Sequence, residues 1–259
     1  MWLARVGLVS YGVVHLLIAW LALQVAWGIP GGGAPDQSGA MAAVASTPLG
    51  PPLLYVLAIG LAALALWQLG ELRLLWRHAG PDGGRRAAAA GTVESVGKAA
   101  GYLGLAVLAV RFATATGSTS SSGPQRATSG VFALPGGRLI VAATALVVAG
   151  VGVRQWVTGL REDFLDEIDT SQVSATRRRT LRWLGRVGFP AKGTALIVVG
   201  ALFGWATARY DASKATGLDG AIHTIVAAPF GQALLTIVAL GIGAFGLFSL
   251  MRARYPSRT

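Results

Sequence analysis

The chain has 259 residues, of which 53% are hydrophobic and only 13% are charged, and its formal net charge is +11. So apolar a chain collapses, which excludes an intrinsically disordered protein, and soluble domains carry about twice this charged fraction. Because there is no Cys and there are only three His, disulfide frameworks, thiol catalysis and Cys-ligated metal sites are excluded, and a His-only metal site has few ligands available.

Six apolar windows of the length that crosses a bilayer as a helix follow one another along the chain. They predict an all-α integral membrane protein. The first window lacks a small-residue cleavage site and five more follow it, so we expect it to be retained rather than removed as a signal peptide. The predicted spans are Leu8–Gly28, Leu53–Leu75, Val96–Thr116, Leu139–Leu160, Val187–Ala208 and Gln232–Met251.

The positions of the basic residues predict the orientation of these spans. Of the 22 Lys and Arg residues, 17 fall in the N-terminus, the second and fourth connections and the C-terminal tail. Since positive residues in short loops stay cytoplasmic, both termini are expected in the cytoplasm. The charges are spread over interfacial loops rather than one soluble face, so we expect no nucleic-acid partner.

An internal repeat is the most informative feature of the sequence. A shift of 181 residues aligns the first and last thirds without a gap, so that Trp2–Gly7 meets Trp183–Gly188. The middle third fits more loosely, with Val96-Gly97 entering one helix and Pro135-Gly136-Gly137 entering the next. Three two-helix hairpins with the same orientation are therefore predicted, in a pseudo-threefold arrangement about the membrane normal.

Each external connection reads as a short helix closed by Pro and Gly. The predicted helices are Ser38–Ser46, Thr128–Leu134 and Leu218–Ala228. Ser38, Thr128 or Ser129, and Asp219 are the expected N-caps, because their side-chain oxygens can accept hydrogen bonds from free backbone amides.

The two cytoplasmic connections divide the chain into repeats at 1–80, 95–160 and 183–259. The linker 81–94 is rich in Gly, Ala and Arg and is expected to be flexible. In the linker 161–182, an interfacial helix would place Phe164, Leu165 and Ile168 at the headgroup boundary while its carboxylates face water. The alternative is a solvated charged linker that only sets the topology. Phe164 and a group of arginines are the candidate contacts for a cytoplasmic partner or anionic lipid: Arg177, Arg178, Arg179 and Arg182.

From Arg161 onward the chain resembles a bacterial family of membrane proteins known as domain of unknown function 1206. The residues that carry the resemblance are Phe164-Leu165, Lys214-Ala215, Gly217–Ala221, Pro229-Phe230-Gly231, Ala239, Gly241, Phe245-Gly246, Ser249 and Ala253-Arg254-Tyr255. The family is built of three two-helix copies, so the resemblance implies this architecture over the whole chain. It also implies a bacterial cytoplasmic-membrane location, and it carries no activity or catalytic residue to transfer.

Few polar residues fall inside the predicted spans. His15 is a ligand or proton-path candidate, since ionisable groups in a membrane are functional by default. The alternatives for His15 are a haem ligand, a proton relay, or a neutral side chain hydrogen-bonded between helices. Lys192 reads as an interfacial residue that snorkels. The candidates for lining a path are His15, Ser10, Gln24 and Gln68.

The external loops carry Asp219, Lys214 and His223 as polar candidates, and the spacing from Lys214 to Asp219 allows a local salt bridge. Small-residue spacings such as Gly97 with Gly101, and Gly241 with Gly246, predict close helix crossings within the chain or between chains. No phosphate-binding loop, paired catalytic carboxylates or HExxH motif is present. We therefore expect no enzymatic activity, no catalytic residue, no cofactor and no metal site.

The sequence favours a non-enzymatic accessory or scaffold component that contacts the bilayer, anionic lipid headgroups and another membrane complex. A small-solute or ion channel or transporter along the pseudo-threefold axis is the alternative, and a haem-binding or other redox membrane protein is a weaker one. Apolar closure of the axis would favour the scaffold, whereas a hydrated axis would favour transport.

Overall fold

A computed structural model describes residues 2–29, 33–77, 84–114, 123–165 and 173–254. Every regular element in these ranges is a helix. Single turns of 3₁₀ helix lie at Asp163–Leu165 and Ala212–Lys214. The α-helices are α1 (Trp2–Ala26), α2 (Gln37–Ala45), α3 (Gly50–Arg77), α4 (Gly84–Ala113), α5 (Gly123–Phe132), α6 (Gly137–Arg161), α7 (Ala175–Arg209), α8 (Gly217–Val226) and α9 (Gly231–Arg252).

The expectation of six membrane spans is confirmed, because the long helices α1, α3, α4, α6, α7 and α9 are long and apolar enough to cross a bilayer. An even number of crossings puts both ends of the chain on one side of the membrane, which we call the terminal side. The short helices α2, α5 and α8 lie on the other side, the loop side. The expected short helices are thus present, although α5 begins at Gly123, five residues before its predicted start.

The same turn joins each short helix to the long helix that follows it, which supports the internal repeat at atomic level. The backbone N–H groups of Gly50, Gly137 and Gly231 each donate to the carbonyl three residues earlier, at 2.8–2.9 Å. A Cβ built on any of the three glycines would lie 1.8–2.5 Å from a carbonyl oxygen of the preceding short helix. Only glycine fits this turn, so the Pro and Gly signals in all three copies report one structural requirement.

The contacts between the long helices form an open series rather than a closed ring. Along this series α4 packs on α3, α3 on α1, α1 on α9, α9 on α7, and α7 on α6. Within the described residues no comparable packing joins α4 to α6, the two long helices of the middle repeat. The pseudo-threefold arrangement therefore stays a prediction, and we call the side between α4 and α6 the open side.

Glycine pairs set the closest crossings between repeats. A Cβ on Gly12 of α1 would lie 2.8 Å from the Gly246 carbonyl oxygen of α9, and a Cβ on Gly193 of α7 would lie 2.6 Å from that of Gly152 in α6. Gly12 and Gly193 are equivalent under the 181-residue shift. Close backbone approach of this kind is the usual basis of helix packing in lipid.

Glycines at equivalent positions allow the two hairpin helices to approach closely in the outer repeats, and this close approach is missing from the middle one. A Cβ on Gly7 would lie 2.4 Å from the Gly60 carbonyl oxygen, and a Cβ on its equivalent Gly188 would lie 2.6 Å from the Phe245 backbone nitrogen. In the middle repeat Val147 stands where the other copies have Gly60 and Gly241. Val147 is exposed, and a Cβ on Gly97 would have nothing within 4 Å. The middle repeat thus lacks a glycine at this position of its second helix, and α4 and α6 do not cross closely.

One sequence expectation about the terminal-side connections is wrong, and a second falls largely outside the described residues. The linker expected to be flexible is helical from Gly84. Residues 87–90 are all alanine, which has the highest helix propensity of any residue type. In the segment expected as an interfacial helix, the described parts are a 3₁₀ turn at Asp163–Leu165 and the start of α7 at Ala175, and residues 166–172 lie outside the described residues. Of the expected interfacial residues, Ile168 lies outside the described residues.

The expected helix caps are also wrong. Asp36 caps α2 by accepting from the Gly39 amide at 2.9 Å, and Ser38 donates to the same carboxylate at 2.6 Å. Asp219 lies inside α8, whose N-cap residue Thr216 makes no side-chain capping bond. Thr128 and Ser129 lie in the interior of α5, because Pro124 at the first turn favours an earlier start.

The glycine crossings predict a contrast between two neighbouring positions of α6. Gly152→Val places a side chain against the Gly193 backbone, so we expect the free energy of unfolding in mild detergent to fall by about 1–3 kcal/mol, the usual cost of overpacking. Gly150→Val is the matched control, because a Cβ there meets nothing within 4 Å. Equal melting temperatures for the two variants would contradict the proposed crossing.

Candidate functional site: a polar cluster within the membrane spans

Polar and aromatic side chains from four long helices meet in the spans. Tyr11 and His15 come from α1, Tyr102 from α4, Lys192 from α7 and Phe245 from α9. The ring of Tyr11 is central, with centroids 4.3 Å from His15, 5.3 Å from Tyr102 and 5.9 Å from Phe245. We call these five residues the polar cluster.

Lys192 is the cation of the cluster. Its Nζ donates a hydrogen bond to the Tyr11 hydroxyl and lies 4.3 Å from the centroid of the Phe245 ring and 4.9 Å from that of Tyr11. No carboxylate among the described residues forms a salt bridge with it. Beside this half-buried ammonium group, cation–π contacts and one hydroxyl therefore take the place of a carboxylate. The expectation that Lys192 snorkels to the interface is wrong, because its ammonium group is held between α1 and α9.

His15 is buried, and its Nδ1 lies 2.8 Å from the Tyr11 carbonyl oxygen one turn earlier. A carbonyl oxygen can only accept, so Nδ1 is the protonated ring nitrogen. The imidazole also lies 4.9 Å from the Phe245 ring centroid. The hydrogen bond of His15 is thus made within its own helix rather than between helices, and ring contacts carry the link to α9.

A second aromatic group extends the cluster toward the terminal side. Phe189 of α7 lies edge-on to Phe245 at 5.1 Å and is stacked on Phe164 at 5.1 Å. Phe164 is only 1% exposed and occupies the space left by Gly185, where a Cβ would lie 2.3 Å from its ring. The expectation that Phe164 contacts a partner or lipid is therefore wrong, since the 3₁₀ turn directs the ring inward onto α7.

The other residues expected to line a path do not gather in one place. Ser10 donates to the Val6 carbonyl oxygen at 2.9 Å and packs against Gly60 in the α1–α3 crossing. Gln24 lies nine residues beyond His15, which is about 13 Å along α1, and its Oε1 is buried without a hydrogen-bond partner among the described residues. Gln68 lies in the last third of α3 and has contacts of its own.

On the loop side, Asp219 pairs with His223 rather than with Lys214. The His223 Nε2 lies 3.5 Å from Asp219 Oδ1, one turn apart on α8. The expected salt bridge between Lys214 and Asp219 is absent from these described residues, because Lys214 ends a separate 3₁₀ turn. Asp211 caps that turn, and its hydrogen bond with Ser213 lowers the pKa of the Asp211 carboxyl.

The arginines expected to make contacts at the terminal side lie at the start of α7. Arg178, Arg179 and Arg182 line one concave surface, whereas Arg177 is not among its lining residues. The Glu162 carboxylate forms salt bridges with Arg182, at 2.9 Å from its Nε, and with Arg186, at 3.5 Å from its Nη1. These ion pairs tie the end of α6 to α7.

Sequence reasoning did not identify Tyr11 and Tyr102, and it misplaced Lys192. One signal could have found two of them, because Tyr11 and Lys192 are 181 residues apart and therefore occupy the same position in the first and last repeats. Polar groups at equivalent positions of two copies come together where those copies pack.

A family model described as "Domain of Unknown Function (DUF1206)" matches residues 6–71, 93–162 and 187–256. The chain is also similar to the "Uncharacterized protein YxxB" of Bacillus subtilis (strain 168), with 28% identity over 256 residues that cover 98% of this chain and 90% of that protein. No solved structure matches the chain.

The contact between Lys192 and Tyr11 predicts coupled effects on stability. We expect Tyr11→Phe to lower the free energy of unfolding by about 1.5–3 kcal/mol, because it leaves a charged donor without its acceptor. Lys192→Met removes that donor, so the double variant should cost less than the sum of the two single variants, with a coupling of about 0.5–3 kcal/mol. Unfolding titrations in detergent measure the free energy of unfolding of wild type, the two single variants and the double variant. Tyr55, an exposed tyrosine of α3, gives the control cycle with Lys192, and coupling there as large as with Tyr11 would contradict the contact.

Proposed function

The chain belongs to the DUF1206 family, whose model matches it three times, and we propose that it is a non-enzymatic accessory or scaffold component of a membrane complex. Its partner, in this proposal, is a transmembrane helix of another protein that packs along the open side between α4 and α6. The observation that carries the proposal is the missing contact between these two helices.

The helices that flank the open side are the least covered in the molecule. Only 22% of the α4 span and 17% of the α6 span are buried, compared with 56% of the α1 span. In the outer repeats the corresponding hairpin contact is filled, by α3 against α1 and by α9 against α7. The middle repeat thus leaves an unfilled helix-packing position.

The surface of α4 is suited to a close helix partner. Gly97, Gly101 and Gly104 lie at spacings of four and three residues, which put them on one helix face. All three are exposed, and a Cβ on any of them would meet nothing within 4 Å. Glycines that serve no contact inside the chain support a contact with another one, since small residues let helix backbones approach in lipid.

A solute path along the axis has weaker support. Val14, Ile18, Leu57, Leu61 and Ile242 belong to one buried apolar cluster, which also receives Met41 of α2 from the loop side. The polar cluster beside it is filled by rings and the lysine side chain. In the part of the chain that the structure describes, apolar closure of this kind favours a scaffold over a conduit.

We further propose a cytoplasmic-membrane location with the terminal side in the cytoplasm, which the bias of the basic residues supports. Because the chain has no Cys, single cysteines report topology directly. Ser174 before α7 and Ser129 in α5 are both exposed and lie on opposite sides. In intact cells, we expect a membrane-impermeant maleimide to label Ser129→Cys at least tenfold faster than Ser174→Cys. Faster labelling of Ser174→Cys would contradict the proposed orientation and place the terminal side outside the cytoplasm.

Photo-crosslinking in native membranes tests the partner. We expect a cysteine-linked benzophenone at Gly101 and another at Val147 to give the same adduct with a different membrane protein, whereas one at the exposed Ile237 of α9 gives none. Gly101→Leu should then reduce co-purification of that protein by at least tenfold. The added side chain would occupy the open side, and it would not touch the rest of the chain because a Cβ on Gly101 meets nothing within 4 Å.

Gly70→Leu is the matched control for this loss, because Gly70 is exposed on α3 and a Cβ there also meets nothing within 4 Å. An adduct containing two copies of this chain, or co-purification that survives Gly101→Leu, would contradict the accessory role.

A further inference from the structure

The first three turns of α7 form a concave, strongly basic surface at the terminal side of the membrane. The depression has a volume of about 620 Å³, and its walls include Val173, Trp183 and four arginines, Arg178, Arg179, Arg182 and Arg186. Residues 178, 182 and 186 are spaced by four, so their guanidinium groups share one face of the helix. We call this surface the arginine pocket.

The arginine pocket has an excess of positive charge. Glu162 is the carboxylate that pairs with Arg182 and Arg186. Arg178 and Arg179 form no ion pair with any carboxylate of the described residues. Within the described residues, the four guanidinium groups of the pocket have one carboxylate beside them, which is an excess of three positive charges.

The level of the pocket relative to the membrane follows from the length of α7. The helix has 35 residues, which is about 52 Å, whereas the hydrocarbon core is about 30 Å thick. The apolar part begins near Val187, so the preceding turns pass through the headgroup layer. Trp183 is 59% exposed in this layer, where tryptophan is enriched because its ring is amphipathic.

We propose that the arginine pocket binds the phosphate of an anionic phospholipid from the leaflet on the terminal side. Arg178 and Arg179 contact the phosphate oxygens, and Trp183 lies beside the glycerol and the start of the acyl chains. Guanidinium groups match phosphate geometry, since they can donate two parallel hydrogen bonds. The exposed apolar ring beside the cations favours a lipid over free phosphate, which has no apolar part. This inference does not depend on the partner at the open side.

Lipid retention tests the proposal on the full chain. The protein is placed in nanodiscs of phosphatidylglycerol and phosphatidylcholine in equal amounts. It is then released from the nanodiscs in the mass spectrometer, and native mass spectrometry identifies the lipids that stay bound to it. We expect wild type to retain phosphatidylglycerol in preference to phosphatidylcholine. Arg178→Gln with Arg179→Gln should lower that preference by about 30-fold, because each basic residue near an anionic surface contributes about fivefold in affinity. These two arginines are chosen because substituting Arg182 or Arg186 would also break the ion pairs with Glu162.

Two further variants separate phosphate binding from general surface charge. Arg161→Gln with Arg254→Gln removes two exposed arginines from the same side of the membrane but outside the pocket, and it should retain the lipid as wild type does. Arg178→Lys with Arg179→Lys keeps the charges but loses the paired hydrogen bonds, so its preference should lie between those of wild type and the glutamine variant, and it also controls for folding.

Three outcomes would overturn the proposal. The first is equal retention of the two lipids by wild type. The second is equal loss in the Arg178/Arg179 and Arg161/Arg254 glutamine variants. The third is displacement of phosphatidylglycerol by millimolar inorganic phosphate, which would identify a free anion as the occupant.

Discussion

The close approach of helix backbones at glycine pairs is the constraint on which the rest of the structure depends. Helices in lipid gain little from burying apolar surface against each other, because the acyl chains are equally apolar. Dispersion between backbones that approach closely is therefore a main source of contact, together with hydrogen bonds between helices. Gly12 with Gly246, and Gly152 with Gly193, provide such contacts between repeats. The middle repeat has Val147 in place of a glycine, and within the described residues the hairpin contact between α4 and α6 is absent.

The polar cluster is a consequence of the same crossings. Gly188 lets α9 come close enough for Phe245 to reach the Lys192 ammonium group, while Gly12 brings Tyr11 beside it from the next repeat. A half-buried ammonium group is stabilised by partners, and here the partners come from two different repeats. The cluster therefore joins the first and last copies of the repeat, because its contacts hold α1 against α7 and α9.

The described surfaces divide into two kinds with different chemistry. The open side is apolar and lined by small residues, which fits a helix that is itself within the membrane. The arginine pocket is at the headgroup level and strongly basic, which fits a phosphate group. Both surfaces lie on the middle repeat or next to its last helix. The copy of the repeat that fits the pattern most loosely is therefore also the one with the fewest contacts to the rest of the chain.

The sequence by itself determined the six spans, the repeat and the glycine turns after the short helices, because these depend on composition and on local backbone geometry. It also pointed to Arg178, Arg179 and Arg182 as a contact surface, from charge alone. It did not reveal the polar cluster, and it wrongly placed Phe164 at the headgroups. Only the tertiary structure decided which helix faces meet, since apolar spans such as α6 and α9 carry no polar stripe to mark an inner side. The pairing depends instead on where glycines allow close approach, and that is a property of two helices together.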